Sequence, residues 1–369
     1  MKVTIFDEII DNRELGKVWH DLQEVLTISL FAVLSGAEDY ESIAEYGLEK
    51  AEFLSSFLEL EGGLPSSSTY ARIFRHLDPE LLNECLKKNA EEVLKIQEKY
   101  LLNIDGKVLR GTAKKGKRNS GICILSAWAA KDNLVLGQLK ASEKSNERTA
   151  IPKLLEQLDL ENAIVTIDAI ATTNKIAKQI VEGGSGRKGG DYILALKKNK
   201  KGLYEEAVDW LKRDREDFDR EEQTDYVGGR IERRSYVVCS NLEYLSATDL
   251  LPHSKSIIKV SSERMIKEKI QKEERYYISS LVVAASQFAT YIRGHWSIEN
   301  QLHWQLDVSF NEDKSRIRKD NAPENMAVMR KLALQALKQM TDKSSIKRRR
   351  LKAAWNNDYL IHVIQNAFS

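Results

Sequence analysis

Apolar residues recur at helical spacing through nearly the whole of residues 1–98. Residues 21–34 are the most continuously apolar and predict a buried helix; residues 42–46 begin a second, and 51–60 carry a third until Gly62, Gly63 and Pro65 break it. Ser67 or Ser68 offers a cap for a helix over 70–77, and Asp78-Pro79 starts another. At Leu101 the period shortens to that of strands, with candidates in LLNIDGKVLRG, residues 121–130 and residues 134–141. A helix over about 149–158, capped by Asn146, leads to the strand AIVTIDAIATT, a helix over 174–182 and a strand over 192–196. Short links suit antiparallel pairing of the first three strands, whereas the later ones need helical crossovers. Residues 220–285 interrupt this alternation with ERRSYVVCS, SIIKVSSER and ERYYISSLVV, read as a β-rich insertion.

The stretch 291–318, YIRGHWSIENQLHWQLDVSFNEDKSRIR, predicts one long helix. Its i, i+4 steps place His295, Glu299, His303 and Asp307 on one face, beside an apolar stripe of Ile298, Leu302 and Leu306. Trp296, Asn300, Trp304 and Val308 form a third stripe, in which the tryptophans read as core anchors or as platforms for a base. The Glu299 stripe must then face solvent or a cleft. Residues 321–338 predict a further amphipathic helix, capped by Asn321 with Pro323 in its first turn.

A chain of 369 residues is long for one core, and 42% hydrophobic with 30% charged residues is ordinary globular composition. We divide it into a helical N-terminal unit (1–98), an α/β unit (99–345, holding the insertion at about 220–285) and a basic helical tail (346–369). The formal charge of +2 argues for no partner by itself. Basic residues are clustered, however: Lys107, Arg110, Lys114, Lys115, Lys117 and Arg118; four lysines in 197–201; and KRRRLK at 347–352. Together they lean towards a polyanion, while each alone fits a solvated face. Cys85, Cys123 and Cys239 are isolated, as expected of a reducing cytoplasm. The run 25–34 is too short to span a bilayer, so no membrane partner is expected. No repeat of solenoid period occurs.

Three acids stand out by placement. Asp105 and Asp168 each sit alone in an apolar strand, and Glu299 lies on the late helix. Buried carboxylates without partners are costly, and a shared divalent cation is an economical counter-charge; carboxylates suit hard ions such as Mg2+. The element order is that of the ribonuclease-H-like fold. A helix, a Gly-containing turn and a helix bearing Tyr70, Arg72 and Arg75 match either a helix-turn-helix or a plain helical hairpin. Asp307, Glu312 and Asp313 are reserve acids for the Glu299 position. His295, Glu299 and His303 also match a zinc site by spacing, although no H-E-x-x-H is present.

NIDGKVLRGT, AWAAKDNLVLGQLKASEKSNERTAIPKLLEQLDLENAIVTIDA, GGDYILALKKNKKGL, IRGHWSIENQLHWQLDVSF and EDKSRIRKDNAPENMAVMRK together resemble the H-repeat-associated (ISAs-type) transposases of bacterial insertion sequences, in the DDE superfamily. The N-terminal stretches DLQEVLTISLFAVLSGAEDYESIAEYG and GLPSSSTYARIFRHLDPE resemble the helical domain that accompanies that catalytic domain. The resemblance implies a ribonuclease-H-like nuclease core whose metal-binding triad is Asp105, Asp168 and Glu299, holding two Mg2+ ions with Mn2+ as a substitute. It implies double-stranded DNA as partner, both terminal inverted repeats and target DNA, a homodimer in the DNA complex, and a cytoplasmic protein that joins the nucleoid when DNA-bound. Tyr70, Arg72, Arg75, Lys107, Arg110, His303, Arg316 and Arg318 are the expected DNA contacts. The pattern departs from its relatives at several points. Ile170-Ala171-Thr172-Thr173 stands where Met-Gly-Cys-Gln is usual, Gly228 where His is, and Ser67-Ser68 where His-Asp is. The Tyr, Arg and Lys offsets around the glutamate hold Ile292, His295 and Leu306. A DNA-binding copy acting as repressor or host factor is therefore the alternative expectation.

Overall fold

The computed structural model describes residues 4–368 except 15, 17, 95–97, 114–119, 142–146, 185, 214, 228–229, 247–249 and 267–268. Asn146, Lys114, Lys115, Lys117, Arg118 and Gly228 lie outside the described residues. The chain opens with α1 (Leu22–Leu34), α2 (Tyr40–Glu49), α3 (Ala51–Ser55), α4 (Ser67–His76) and α5 (Pro79–Leu94). It continues through β1 (Tyr100–Leu109), β2 (Ile122–Ala129), β3 (Leu134–Lys140), α6 (Glu147–Gln157), β4 (Ala163–Ile167), α7 (Asn174–Glu182), β5 (Asp191–Leu196) and α8 (Lys201–Leu211). Then come β6 (Asp219–Val227), β7 (Arg230–Cys239), β8 (Ser256–Ile266) and β9 (Lys269–Ser279). The last helices are α9 (Ala285–His295), α10 (Trp304–Phe310), α11 (Ala322–Lys338), α12 (Ile346–Trp355) and α13 (Asn357–Phe368).

The nine strands among the described residues form one sheet, ordered β3-β2-β1-β4-β5-β9-β8-β7-β6. β1 pairs antiparallel with β2 and β2 with β3, while β4 runs parallel to both β1 and β5. This is the expected ribonuclease-H-like order. The insertion is part of the same sheet, because β9 pairs antiparallel with β5. It also holds a strand the hydrophobic pattern hides: β6 runs through DREEQTDYV, where no apolar alternation marks it. Leu154, Ile176 and Leu203, from α6, α7 and α8, belong to a core with Leu102, Ile104 and Val165 of the sheet. Phe288 and Ile292 of α9 pack in another with Ile164, Ile193 and Ile258, so the sheet is covered on both faces.

A third core joins the two ends of the chain. Leu26, Phe31 and Tyr70 cluster with Met326, Leu332 and Val363. Asp21 and Asp39 cap α1 and α2 by accepting backbone N–H groups of Glu24 and Ser42, and Ser66, not Ser67 or Ser68, caps α4. Asn321 precedes α11 but makes no side-chain cap; its amide donates to Leu77 O. The fully buried Asn325 donates to Phe74 O and Leu77 O, each at 2.9 Å, satisfying carbonyls at the end of α4. Asn325→Ala is expected to cost about 1–3 kcal/mol in urea unfolding, because Phe74 O then loses this buried donor and Leu77 O keeps only the longer bond from Asn321. The basic run of α12 also turns inward: Arg350 donates to Val33 O and stacks on Phe310, and Arg349 donates to Leu337 O.

Candidate active site

The parallel register of β1 and β4 pairs Ile104 with Ile167, so the next residues, Asp105 and Asp168, emerge side by side. Asp105 continues β1 against Ser126 of β2. Asp168 follows the end of β4, where its Oδ1 accepts the Ala169 N–H at 2.7 Å and opens a 3-10 turn. Two of the residues that depart from the family pattern have jobs here. Thr172 donates to Ala195 O and Thr173 caps α7.

The third acid arrives on a helix that is not uniformly α. Between α9 and α10, residues Ile298–His303 form a π turn in which the Trp304 N–H reaches Glu299 O, five residues back. The expected single helix over 291–318 therefore carries a widened turn and ends at Phe310, where Asn311 adopts a left-handed conformation. In an α-helix each i, i+4 step overshoots a full turn by about 40°, and the wider turn removes that drift. His295, Glu299, His303 and Asp307 consequently all keep facing β1 and β4. His295 Nδ1 lies 2.8 Å from Thr166 Oγ1, which itself donates to Asn103 Oδ1 at 2.7 Å. Asn103 Nδ2 donates to Gly294 O and Ser297 Oγ, clamping the helix to the sheet.

Asp105, Asp168, His295 and Glu299 line one cavity of about 640 Å3. Among the described residues no three acid, histidine or cysteine groups close to ligand spacing on a single point. The electrostatics still leave the cluster short of positive charge. Burial pushes Asp105 up to about 7; the Gly106 N–H opposes this, and the charges of Glu147, Glu299 and Asp168 add to it. Burial also pushes Asp168 up, but the Ala169 N–H and Lys197, 3.1 Å away, outweigh it and hold it below the usual carboxylate range. Because the Asp105 pKa is raised in the fold, its contribution to stability is present below the unfolded value and lost as pH rises through about 7. Asp105→Asn is thus expected to melt above the wild type at pH 8 in chelator, with the gap closing towards about pH 4; a constant gap would refute this.

Several expected DNA contacts are placed otherwise. Tyr70 is fully buried in the helical core, its hydroxyl without a hydrogen-bond partner among the described residues. Lys107 is nearly buried between Asp307 (2.7 Å), Glu312 (3.1 Å) and Asp313 (3.2 Å), so it neutralises the reserve acids instead of facing DNA. His303 points Nδ1 at Asp105 Oδ2, 3.5 Å away, while its buried Nε2 has no hydrogen-bond partner among the described residues. Burial, with Lys331 and Lys107, lowers its pKa to about 3, so it is a neutral imidazole beside Asp105 and not a cation for phosphate. Both imidazoles of the supposed zinc set are thus turned to Thr166 and Asp105. Arg72, Arg110, Arg316 and Arg318 are exposed, and Arg75, Arg316 and Arg318 line a common cleft between α4 and the segment after α10. Trp296 and Trp304 are 40% and 53% exposed and so are not core anchors. Sequence reasoning missed Lys197, Lys198, Arg275 and Tyr277 in the cavity wall. The lysines read as a solvated run, and Arg275 gave no signal before β5 and β9 were known to pair.

Residues 96–335 match the family model described as "Transposase DDE domain", and residues 3–89 the one described as "DDE_Tnp_1-associated". The chain is 36% identical over 365 residues to "Putative protein YbfL" of Escherichia coli (strain K12), spanning 96% of this chain and 95% of that one. It is 35% identical over 365 residues to "H repeat-associated putative transposase YhhI" of the same strain, again spanning 96% and 95%. Against "Putative transposase YncI" of Escherichia coli O157:H7 the identity is 37% over 372 residues, 96% of this chain and 92% of that one.

Proposed function

This chain belongs to the transposase DDE-domain family, and from that premise we propose that it cuts a phosphodiester at the end of an insertion sequence and joins the freed 3′-hydroxyl to target DNA. The observation that carries this reading is the pairing of Ile104 with Ile167, which sets Asp105 beside Asp168 in the cavity that Glu299 also lines. The donor set is all oxygen, Asp105 is short of positive charge, and the Glu299 carboxylate has no hydrogen bond or ion pair among the described residues. That fits a hard divalent cation, and Asp105, Asp168 and Glu299 would hold Mg2+, with Mn2+ as a substitute. Such ions, when bound, activate the attacking oxygen and stabilise the leaving one.

The chain's own groups supply the rest. His303 orients Asp105, and the Asn103–Thr166–His295 clamp fixes the height of Glu299 above the sheet. Lys198 and Arg275 offer positive charge to a phosphate in the cavity. Arg275 lies 4.4 Å over the Trp296 ring, and the exposed part of that ring is a surface on which a base can stack. Arg72 and Arg75 on α4, with Arg316 and Arg318 across the cleft, would grip terminal repeats, two copies of the chain holding two ends. No helix among the described residues is long and apolar enough to cross a membrane.

The test is incubation of the full chain with DNA carrying the ends of its element and Mg2+. Nicks at the end that leave a 3′-hydroxyl are expected. Binding without any nicking would sink the enzyme and leave a repressor or host factor.

A further inference from the structure

A fourth carboxylate approaches the same cluster from the other face of the sheet. Glu147 is the first residue of α6, which crosses from β3 to β4. Its side chain fills the space beside Gly106, where an added Cβ would lie 2.5 Å from Glu147 Oε1 and 2.8 Å from Cδ. Residue 106 is thus a glycine next to Asp105 in a strand, a position where glycine ordinarily weakens pairing and marks a close approach. Here the approaching group is an acid. Its one polar contact among the described residues is the Cys123 thiol, a weak donor at 3.7 Å. Two adjacent carboxylates with no cation between them repel, and the strand has given up a side chain to admit the second one.

We propose that Glu147 is a fourth ligand of the divalent-cation site, binding the ion held by Asp105 from the side opposite Glu299. This rests on the reading that Asp105, Asp168 and Glu299 bind that cation. It gives Gly106 a purpose that a packing role does not, namely to leave room for the Glu147 carboxylate. The Gly106 backbone does not have a positive φ, and the three nearest atoms a Cβ would meet all belong to the Glu147 side chain. Gly106→Ala should therefore fold while displacing Glu147.

The test is Mn2+ binding to the full-length, DNA-free chain, followed by the loss of the free-ion electron paramagnetic resonance signal. Wild type is compared with Glu147→Gln, Gly106→Ala and Asp105→Asn, each checked for native circular dichroism. Glu147→Gln and Gly106→Ala are each expected to weaken Mn2+ binding by about 10–100-fold, although Gly106→Ala keeps every carboxylate. Wild-type affinity in both, with Asp105→Asn defective, overturns the fourth ligand and leaves the triad standing. Wild-type affinity in Asp105→Asn overturns the triad and this inference with it.

Discussion

Asp105→Asn is expected to slow end nicking and strand transfer by at least about 10²–10³-fold while DNA binding persists. The substitution keeps size and shape but removes the charge that would anchor a divalent cation, and electrostatic groups aimed at a developing charge carry effects of that order. Asp105 sits under the reaction cavity with His303 at its back and Asp168 at its side. His303→Ala should be milder, roughly 10–100-fold, because it acts through Asp105. A zinc site on His295, Glu299 and His303 would show the reverse order, with Asp105→Asn tolerated and His303→Ala inactive. Single-turnover cleavage of repeat-end DNA in Mg2+ measures both, and near-wild-type nicking by Asp105→Asn would end the triad reading.

Lys107→Met is expected to destabilise the fold by roughly 3–5 kcal/mol, the usual cost of removing one partner from a buried ion pair. Glu312 is 2% exposed and 3.1 Å from Lys107 Nζ. Burial pushes its carboxyl up, yet Lys107, Arg330 and Lys331 outweigh burial and hold it below the ordinary range. Its stabilising contribution is thus present at neutral pH and lost as pH falls below the ordinary glutamate range. Equilibrium urea unfolding at pH 7 measures the loss. If Lys107 contacts DNA instead, stability would hold, and the salt dependence of DNA binding would shrink by about one charge.

How much of this was legible in the chain depends on whether a feature is local. The change of period at Leu101, three strands with short links, and helical crossovers before the later strands are local patterns, and the antiparallel β1–β3 and parallel β4 and β5 followed from them. The lone acids Asp105 and Asp168 were legible because an apolar strand makes a carboxylate conspicuous. Lys107 was misread because its partners lie about two hundred positions away, and a lysine in a basic run looks the same whether it meets phosphate or buried acid. Tyr70 and Arg72 look alike as surface candidates, but only the fold says which of them points into the core. The π turn left no trace either. Its residues have the same apolar spacing as an α-helix, and the widening shows only in which carbonyl the Trp304 N–H finds.

The acidity of β6 bears on how copies of the chain meet one another. β6 ends the sheet, and an edge strand is the place where a second copy's strand would add. The opposite end, β3, is packed by α5 and α11. A second β6 laid antiparallel and centred on Gln223 would set Glu221 opposite Asp225 twice over, and like charges facing each other across strands are destabilising. Crowded copies therefore meet a built-in deterrent against pairing at this edge and fusing into a continuous ribbon.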